Sequence, residues 1–511
     1  MSVQSILLLS LICACSCARI LVYLTSPYRT HHATFQNLWK ELSLRGHQLT
    51  IITKFPMNDQ SLTNISEIYV KRIDDEMIDN FLHNVCDDYT GSIMEAIKIF
   101  TDANRNDIMN PKVQQLINNK NNAFDLFIFE AQILFPLVLS WVFKCPSIGV
   151  SSLDAILHIG YYVGNPIHPI VKPDINMPVV DYERLSFVER ATQVFYHCAH
   201  MLVFNYLGLP AEQRLAVELF GDEVPDLKLI ARNISLLLLV TNPIFTNVSP
   251  LYGHTVSIGN GIHFDEPKPL SVDLQKYLDN SKNGVIYFSL GSNVKGRLLN
   301  DTTKREILNA FADLPYNVLM KMDTELKDVP KNVRIEKWLP QQDILRHPNV
   351  KLFISQGGLQ SLQESITNGI PLVGIPFFGD QISNVYRMVK KGYGVRLDKK
   401  EITKDNLKAA ILEVMNNPKY REKAKEMGEL LHDEPMTSLE KAVWWIEYVI
   451  RHKGAKHLRS PAVDLPVYQY YMLDVIGFLL LVTIIPIYLF VKILKFIVRK
   501  ICCKKSKSKR D

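Results

Sequence analysis

The sequence predicts an α/β protein of two doubly wound, Rossmann-like halves in tandem, followed by one membrane-spanning helix. Three observations predict it. Short apolar runs alternate with amphipathic helical stretches, twice over, and that alternation implies parallel sheets covered by helices on both faces. A stretch rich in Pro, Asp, Asn and Ser, residues 261–283, separates the two series. Near the end an uncharged apolar run, residues 475–491, is about long enough to cross a bilayer.

The chain opens on an apolar run too short to span comfortably, closing on small residues at Ala18, so residues 1–18 read as a secretory signal peptide. The first half, residues 19–260, begins with a strand at 20–24 and a helix over 33–44. In that helix Phe35, Leu38, Trp39 and Leu42 share one face. A strand at 49–52 completes a βαβ unit. Residues 126–129, 134–143 and 148–150 repeat the pattern. Between 161 and 240, Pro166, Pro169, Pro173 and Pro178 interrupt regular structure, and only 236–240 reads as a strand.

After the linker the second half, residues 284–455, gives strands at 285–290, 318–322, 333–336, 351–355 and 372–375. Helices are expected over 303–311 and up to Gly369, where Pro371 follows as a stop. A juxtamembrane segment, 456–474, leads to the span at 475–491 and a basic tail at 492–511.

Charge is concentrated in that tail. It carries +8 of a formal total of +6, leaving −2 for the rest, which argues against a nucleic-acid partner. Tyr468, Tyr470 and Tyr471 flank one end of the span and the Lys/Arg cluster the other, so the tail is expected in the cytosol and the body in the lumen. Lys507 and Lys509 resemble a dilysine retrieval signal for the endoplasmic reticulum; a plain stop-transfer flank is the alternative. Sequons at Asn64, Asn233, Asn247 and Asn300 fit a luminal body as N-glycosylation sites. Of eight cysteines only Cys86, Cys145 and Cys198 belong to that body, too few for a disulfide framework, and no spacing suggests a metal.

Doubly wound sheets place ligands beyond the carboxyl ends of their strands. His31, on the loop after the first strand, is suited to general-base work there, although a lone histidine at a helix start is more often only a surface residue. Glu130, closing the strand at 126–129, is the candidate partner carboxylate. Trp338 offers a stacking face for a base and Gln341 an amide for a base edge or ribose. Ser355-Gln356-Gly357-Gly358 joins a buried strand to a helix, and such a helix N-terminus favours a diphosphate. Glu364 suits ribose hydroxyls, and Asp380 with Gln381 suits the hydroxyls of a sugar.

The ordered set from Trp338 to Gln381 closely resembles the donor signature of the UDP-glycosyltransferase family, with the insect members nearest. PYRTHHATF near the start, SLGS at 289–292 and the stretch from Pro435 to Asp474 extend the match. The resemblance implies a GT-B fold with a cleft between an acceptor-binding and a donor-binding domain, the last helices packing back on the first. It implies His31 as the base, Glu130 in the place of the family's orienting Asp, and donor contacts from Ser289, Gly291, Trp338, Gln341, Gln356, Gly358, Gln360, Glu364, Asp380 and Gln381. Three positions depart from the family: Gln356 stands for a usual His, Gln360 for a common Asn, and Glu130 is one methylene longer than Asp. The expected reaction is inverting transfer from UDP-glucose, or UDP-glucuronate, to small lipophilic alcohols or phenols, as in detoxification. It needs no cofactor and no metal, and self-association stays open. A non-catalytic sugar-nucleotide binder at the membrane is the alternative.

Overall fold

Runs such as RILVY, LFIFE and VIYFS bury all of their side chains or all but one, and they form strands of two parallel sheets. The computed structural model describes residues 17–73, 77–78, 89–173, 184–246, 248 and 250–507. Residues 1–16 of the expected signal peptide, Cys86, Asn247 and Lys509 lie outside the described residues.

The first lobe runs β1 (Arg19–Tyr23), α1 (Arg29–Thr34), α2 (Gln36–Leu44), β2 (Gln48–Thr53), β3 (Ile65–Tyr69), α3 (Tyr89–Ile108), β4 (Leu126–Glu130), β5 (Ser147–Ser151), α4 (Phe187–Val203), α5 (Leu209–Phe220), β6 (Ile234–Leu239) and β7 (Thr255–Ser257). Its seven strands lie in the order β3-β2-β1-β4-β5-β6-β7, all parallel. The helix expected over 33–44 is two helices, because the chain turns at Phe35, whose buried ring packs on Trp39. The stretch 161–240 is more regular than its prolines suggested. All four precede α4, which a Ser186–Glu189 capping box starts.

The expected linker also contains structure: α6 (Val272–Asn280) is capped by Ser271 and buries Leu274 and Leu278 in the second lobe's core. That i, i+4 pair was hidden in a polar composition. The second sheet follows with β8 (Val285–Ser289), β9 (Asn317–Lys321), β10 (Val333–Glu336), β11 (Val350–Ser355), α7 (Leu359–Thr367), β12 (Leu372–Gly374), α8 (Asp380–Lys391) and β13 (Gly394–Arg396). Its order is β10-β9-β8-β11-β12-β13, again parallel throughout. A later helix, α9 (Ser438–Arg451), does not stay with this sheet. Its Ala442, Val443, Ile446 and Val449 are buried in the core of the first lobe, with Ile20, Val22, Leu38 and Trp39.

Residues from Ser460 onward form a separate unit, dominated by α10 (Leu473–Lys507). Its stretch Leu473–Lys500 contains an 18-residue window with a mean hydropathy of 2.4 and is long and apolar enough to cross a membrane, with Pro486 inside it. Lys507 is the last residue of this helix.

One buried carboxylate gives the first lobe a pH dependence. Glu212 on α5 accepts from the N–H groups of Leu134 and Phe135, both at 2.7 Å, where a 3-10 turn begins. Burial nevertheless pushes its carboxyl up to about 7. A raised folded-state value means stability present in full below about pH 4 and lost as pH rises through about 7. Glu212→Gln keeps an oxygen for both N–H groups and removes the charge. It should flatten the dependence of apparent Tm between pH 5 and 8 and raise stability at pH 8 by on the order of 2–3 kcal/mol. Identical pH profiles for variant and wild type would exclude Glu212 as the source.

Candidate active site

In each sheet the strand order reverses at one place, between β1 and β4 and between β8 and β11. Ligand crevices lie at such points. His31 follows β1 and Glu130 ends β4, its adjacent parallel neighbour. Helix α1 turns His31 back so that its Nδ1 lies 2.6 Å from Glu130 Oε1. The other oxygen of Glu130 accepts from the Ser26 N–H at 2.8 Å. Burial pushes the Glu130 carboxyl up, but the charge and hydrogen bond of His31, with His32 and Ser26, outweigh it and hold the group below its usual range. An ionised carboxylate only accepts, so Nδ1 of His31 carries a proton, and in the neutral ring Nε2 is the nitrogen with the free lone pair. Gln132, a residue no sequence pattern marked, donates to the same Glu130 oxygen at 3.1 Å and lies 2.9 Å from His31 Nδ1.

His32 cannot share this work. It is 1% exposed, and both ring nitrogens are engaged, with Thr53 Oγ1 at 2.7 Å and the Ser26 carbonyl at 2.8 Å. Burial lowers its pKa to about 4, so it stays neutral and braces the Ser26 turn that holds Glu130.

In the second sheet β8 and β11 end level, with Ser289 paired to Ser355. Each serine Oγ accepts from the N–H two residues on, Gly291 and Gly357, at 3.3 and 3.2 Å. Both glycines have positive φ, +75° and +84°, and neither has room for a Cβ: one would lie 2.2 Å from the Gln356 amide, the other 2.2 Å from Val385. Gly358 caps α7, so the first N–H groups of that helix, next to the end of β11, are unpaired by the helix itself. Gln356 is buried beside this turn, its Oε1 without a partner among the described residues.

Trp338 is 61% exposed at the rim of a cavity of about 160 Å³ that Gly291, Ser292, Lys295, Lys321 and Lys337 also line. Lys321 donates to the Gly291 carbonyl at 2.9 Å and sits 4.5 Å from the Trp338 ring centroid. Gln341 donates to Glu364 at 2.7 Å and to Ser361 Oγ at 3.0 Å, and Tyr287 donates to its oxygen at 3.3 Å. His263, from the expected linker, brings Nε2 to 3.3 Å from Glu364. Asp380 accepts from Asn384 at 2.7 Å, and Asn384 also donates to the Gly357 carbonyl at 3.1 Å, joining Asp380 to the glycine turn. Burial raises the Asp380 carboxyl, opposed by Asn384 and by the charge of His31 across the crevice. Gln381 accepts from the N–H groups of Phe377 and Phe378, which fixes the turn before α8.

The family model described as UDP-glucoronosyl and UDP-glucosyl transferase matches residues 20–508, nearly the whole chain. The chain belongs to the UDP-glycosyltransferase family. It is 34% identical to UDP-glucosyltransferase 2 of Dactylopius coccus over 87% of this chain and 86% of that protein. It is 30% identical to human UDP-glucuronosyltransferase 2B7, covering 97% and 96%. Among solved structures, the glycosyltransferase of kitacinnamycin matches with a TM-score of 0.58 at 20% identity, over 85% of this chain and 99% of that one. That likeness shows the GT-B fold.

Within this UDP-glycosyltransferase, two contacts bring residues around His31 against candidates of the second lobe, one of them Arg29 on Trp338. Gln360 turns its amide to the other lobe, toward Thr30 and Thr34. Among the described residues no group of three or more His, Cys, Asp or Glu is placed to hold a metal ion. Of the sequons, Asn233 and Asn300 are exposed and Asn64 is half-buried; Asn300 also caps the helix that starts at Asp301.

Proposed function

We propose that this UDP-glycosyltransferase transfers glucose from UDP-glucose to the hydroxyl of small lipophilic alcohols or phenols, with inversion at the anomeric carbon. The His31–Glu130 couple carries the proposal: a base oriented at 2.6 Å by a buried, ionised carboxylate, opposite a helix N-terminus suited to a diphosphate. Nε2 of His31 takes the acceptor hydroxyl proton as that oxygen bonds to the anomeric carbon. The bond from that carbon to the diphosphate oxygen breaks, and UDP leaves with the electron pair. Trp338 stacks on uracil, Gln341 and Glu364 hold the ribose, and Asp380 with Gln381 hold the sugar. Backbone N–H groups at the start of α7 meet the charge on the leaving group, so the step calls for neither metal nor cofactor.

Glucose is favoured over glucuronate by the insect relative, which is named a glucosyltransferase. The apolar helix Leu473–Lys500, followed by lysines, supports a single-pass protein of the endoplasmic reticulum membrane with its body luminal. Lipophilic acceptors partition into that membrane. One assay addresses both points. Sealed microsomes containing the full chain, given UDP-glucose, UDP-glucuronate and a phenol panel, should form glucosides, and detergent that opens the vesicles should raise the rate. Glucuronides in place of glucosides would reassign the donor; full activity without detergent would place the body on the other side.

A further inference from the structure

Gln360 departs from the family, and its geometry departs with it. From the second position of α7 its Nε2 donates across the crevice to the Thr30 carbonyl at 3.2 Å and to the Thr34 hydroxyl. Thr34 in turn donates to Thr30 O at 2.8 Å, and its side chain is buried. These two acceptors bracket His31 on α1. A second contact joins the same pieces: the Arg29 guanidinium lies 5.2 Å from the centroid of the Trp338 ring. The helix that carries His31 is thus gripped along its length by residues of the donor lobe.

We propose that Gln360 is a positioning residue that fixes the distance between His31 and the reacting carbon of the donor. It ties α1 to the same helix turn that faces the diphosphate, so base and leaving group are referenced to one side chain. The proposal deepens the function above and rests on it. The length of glutamine is what the geometry uses. Asparagine is shorter by one methylene, about 1.5 Å, and from the same backbone position its amide would stop well short of Thr30. A misplacement of about 1 Å in a reacting pair costs roughly 100-fold in rate. If Gln360 were instead a ligand of the diphosphate, shortening it would leave the rate per bound donor intact.

Gln360→Asn, Thr34→Val, Thr34→Ser and the double variant Gln360→Asn/Thr34→Val, made in the full chain, separate these cases. Three quantities are measured: kcat at saturating UDP-sugar, Kd for UDP, and hydrogen exchange at the amides of His31 and Phe35, which close the turns of α1 on Tyr28 and His32. Gln360→Asn should lower kcat roughly 10- to 100-fold, leave Kd for UDP within a few-fold and speed exchange in α1. Thr34→Val should act in the same direction, the double variant should be no worse than Gln360→Asn alone, and Thr34→Ser should keep wild-type rates. Weaker UDP binding with unchanged kcat and exchange would make Gln360 a diphosphate ligand and overturn the proposal, as would no effect at all. A wild type inactive with every UDP-sugar would overturn the functional reading and with it the catalytic role. Unaltered exchange in Gln360→Asn would overturn the tether alone.

Discussion

Replacing His31 with alanine should abolish sugar transfer while binding of UDP stays within a few-fold. General-base work by a positioned side chain contributes about 10²–10⁴-fold, and His31 offers for it an Nε2 with no partner among the described residues. His32 has both nitrogens engaged and burial lowers its pKa to about 4, so it gives no second route. UDP is spared because Trp338, Gln341, Glu364 and the start of α7 all belong to the other lobe. Alanine leaves Glu130 buried with fewer partners, so His31→Gln, whose amide still donates to that carboxylate, serves as the control for folding. Initial rates with a saturating phenol and calorimetric titration with UDP read the outcome. Turnover near wild type would point to a proton path other than His31.

Glu130→Gln should cost nearly as much, by another route. The wild-type carboxylate keeps its charge because His31, His32 and the Ser26 N–H together outweigh the burial that pushes it up. That charge fixes the proton on Nδ1. A neutral amide that turns its NH₂ toward the ring favours the opposite tautomer, which puts hydrogen on Nε2 where the acceptor must lose its own. Loss of the orienting carboxylate in a comparable couple costs about 10⁴-fold, and on the order of 10²–10⁴-fold is expected here. Glu130→Asp should fall between, since the shorter arm stretches a 2.6 Å contact by about 1.5 Å unless the Ser26 turn follows it. Rates of the two variants across pH 6–9 decide it. Equal activity of Glu130→Gln and wild type would reduce Glu130 to packing.

The strands were legible because parallel sheets bury both faces and their sequences become short apolar runs; the strands at 333–336 and 126–129 were placed to within a residue. Helix α6 was not, because two leucines carry it within a polar segment. His31 and Glu130 were legible for a topological reason, each following or ending a strand at the point where the sheet order reverses. Contacts between lobes left no trace in the sequence. Gln360 and Thr30 are 330 positions apart, and nothing in their spacing predicts that they meet. The same holds for Arg29 on Trp338 and for His263 beside Glu364. Gln132 escaped notice because two residues beyond a strand end, a lone glutamine carries no pattern.

The crossing of α9 back to the first sheet has a consequence in time. A ribosome delivers β7 long before it delivers α9, with the residues from 257 to 438 between them. At roughly 5–20 residues per second that interval lasts on the order of 10–40 s. Until then the face of the sheet carrying Ile20, Val22 and Leu236 lacks the cover of Val443, Ile446 and Val449. The first lobe to emerge is therefore the last to be finished, and the newborn chain presents an open apolar surface while the whole second lobe is still being made.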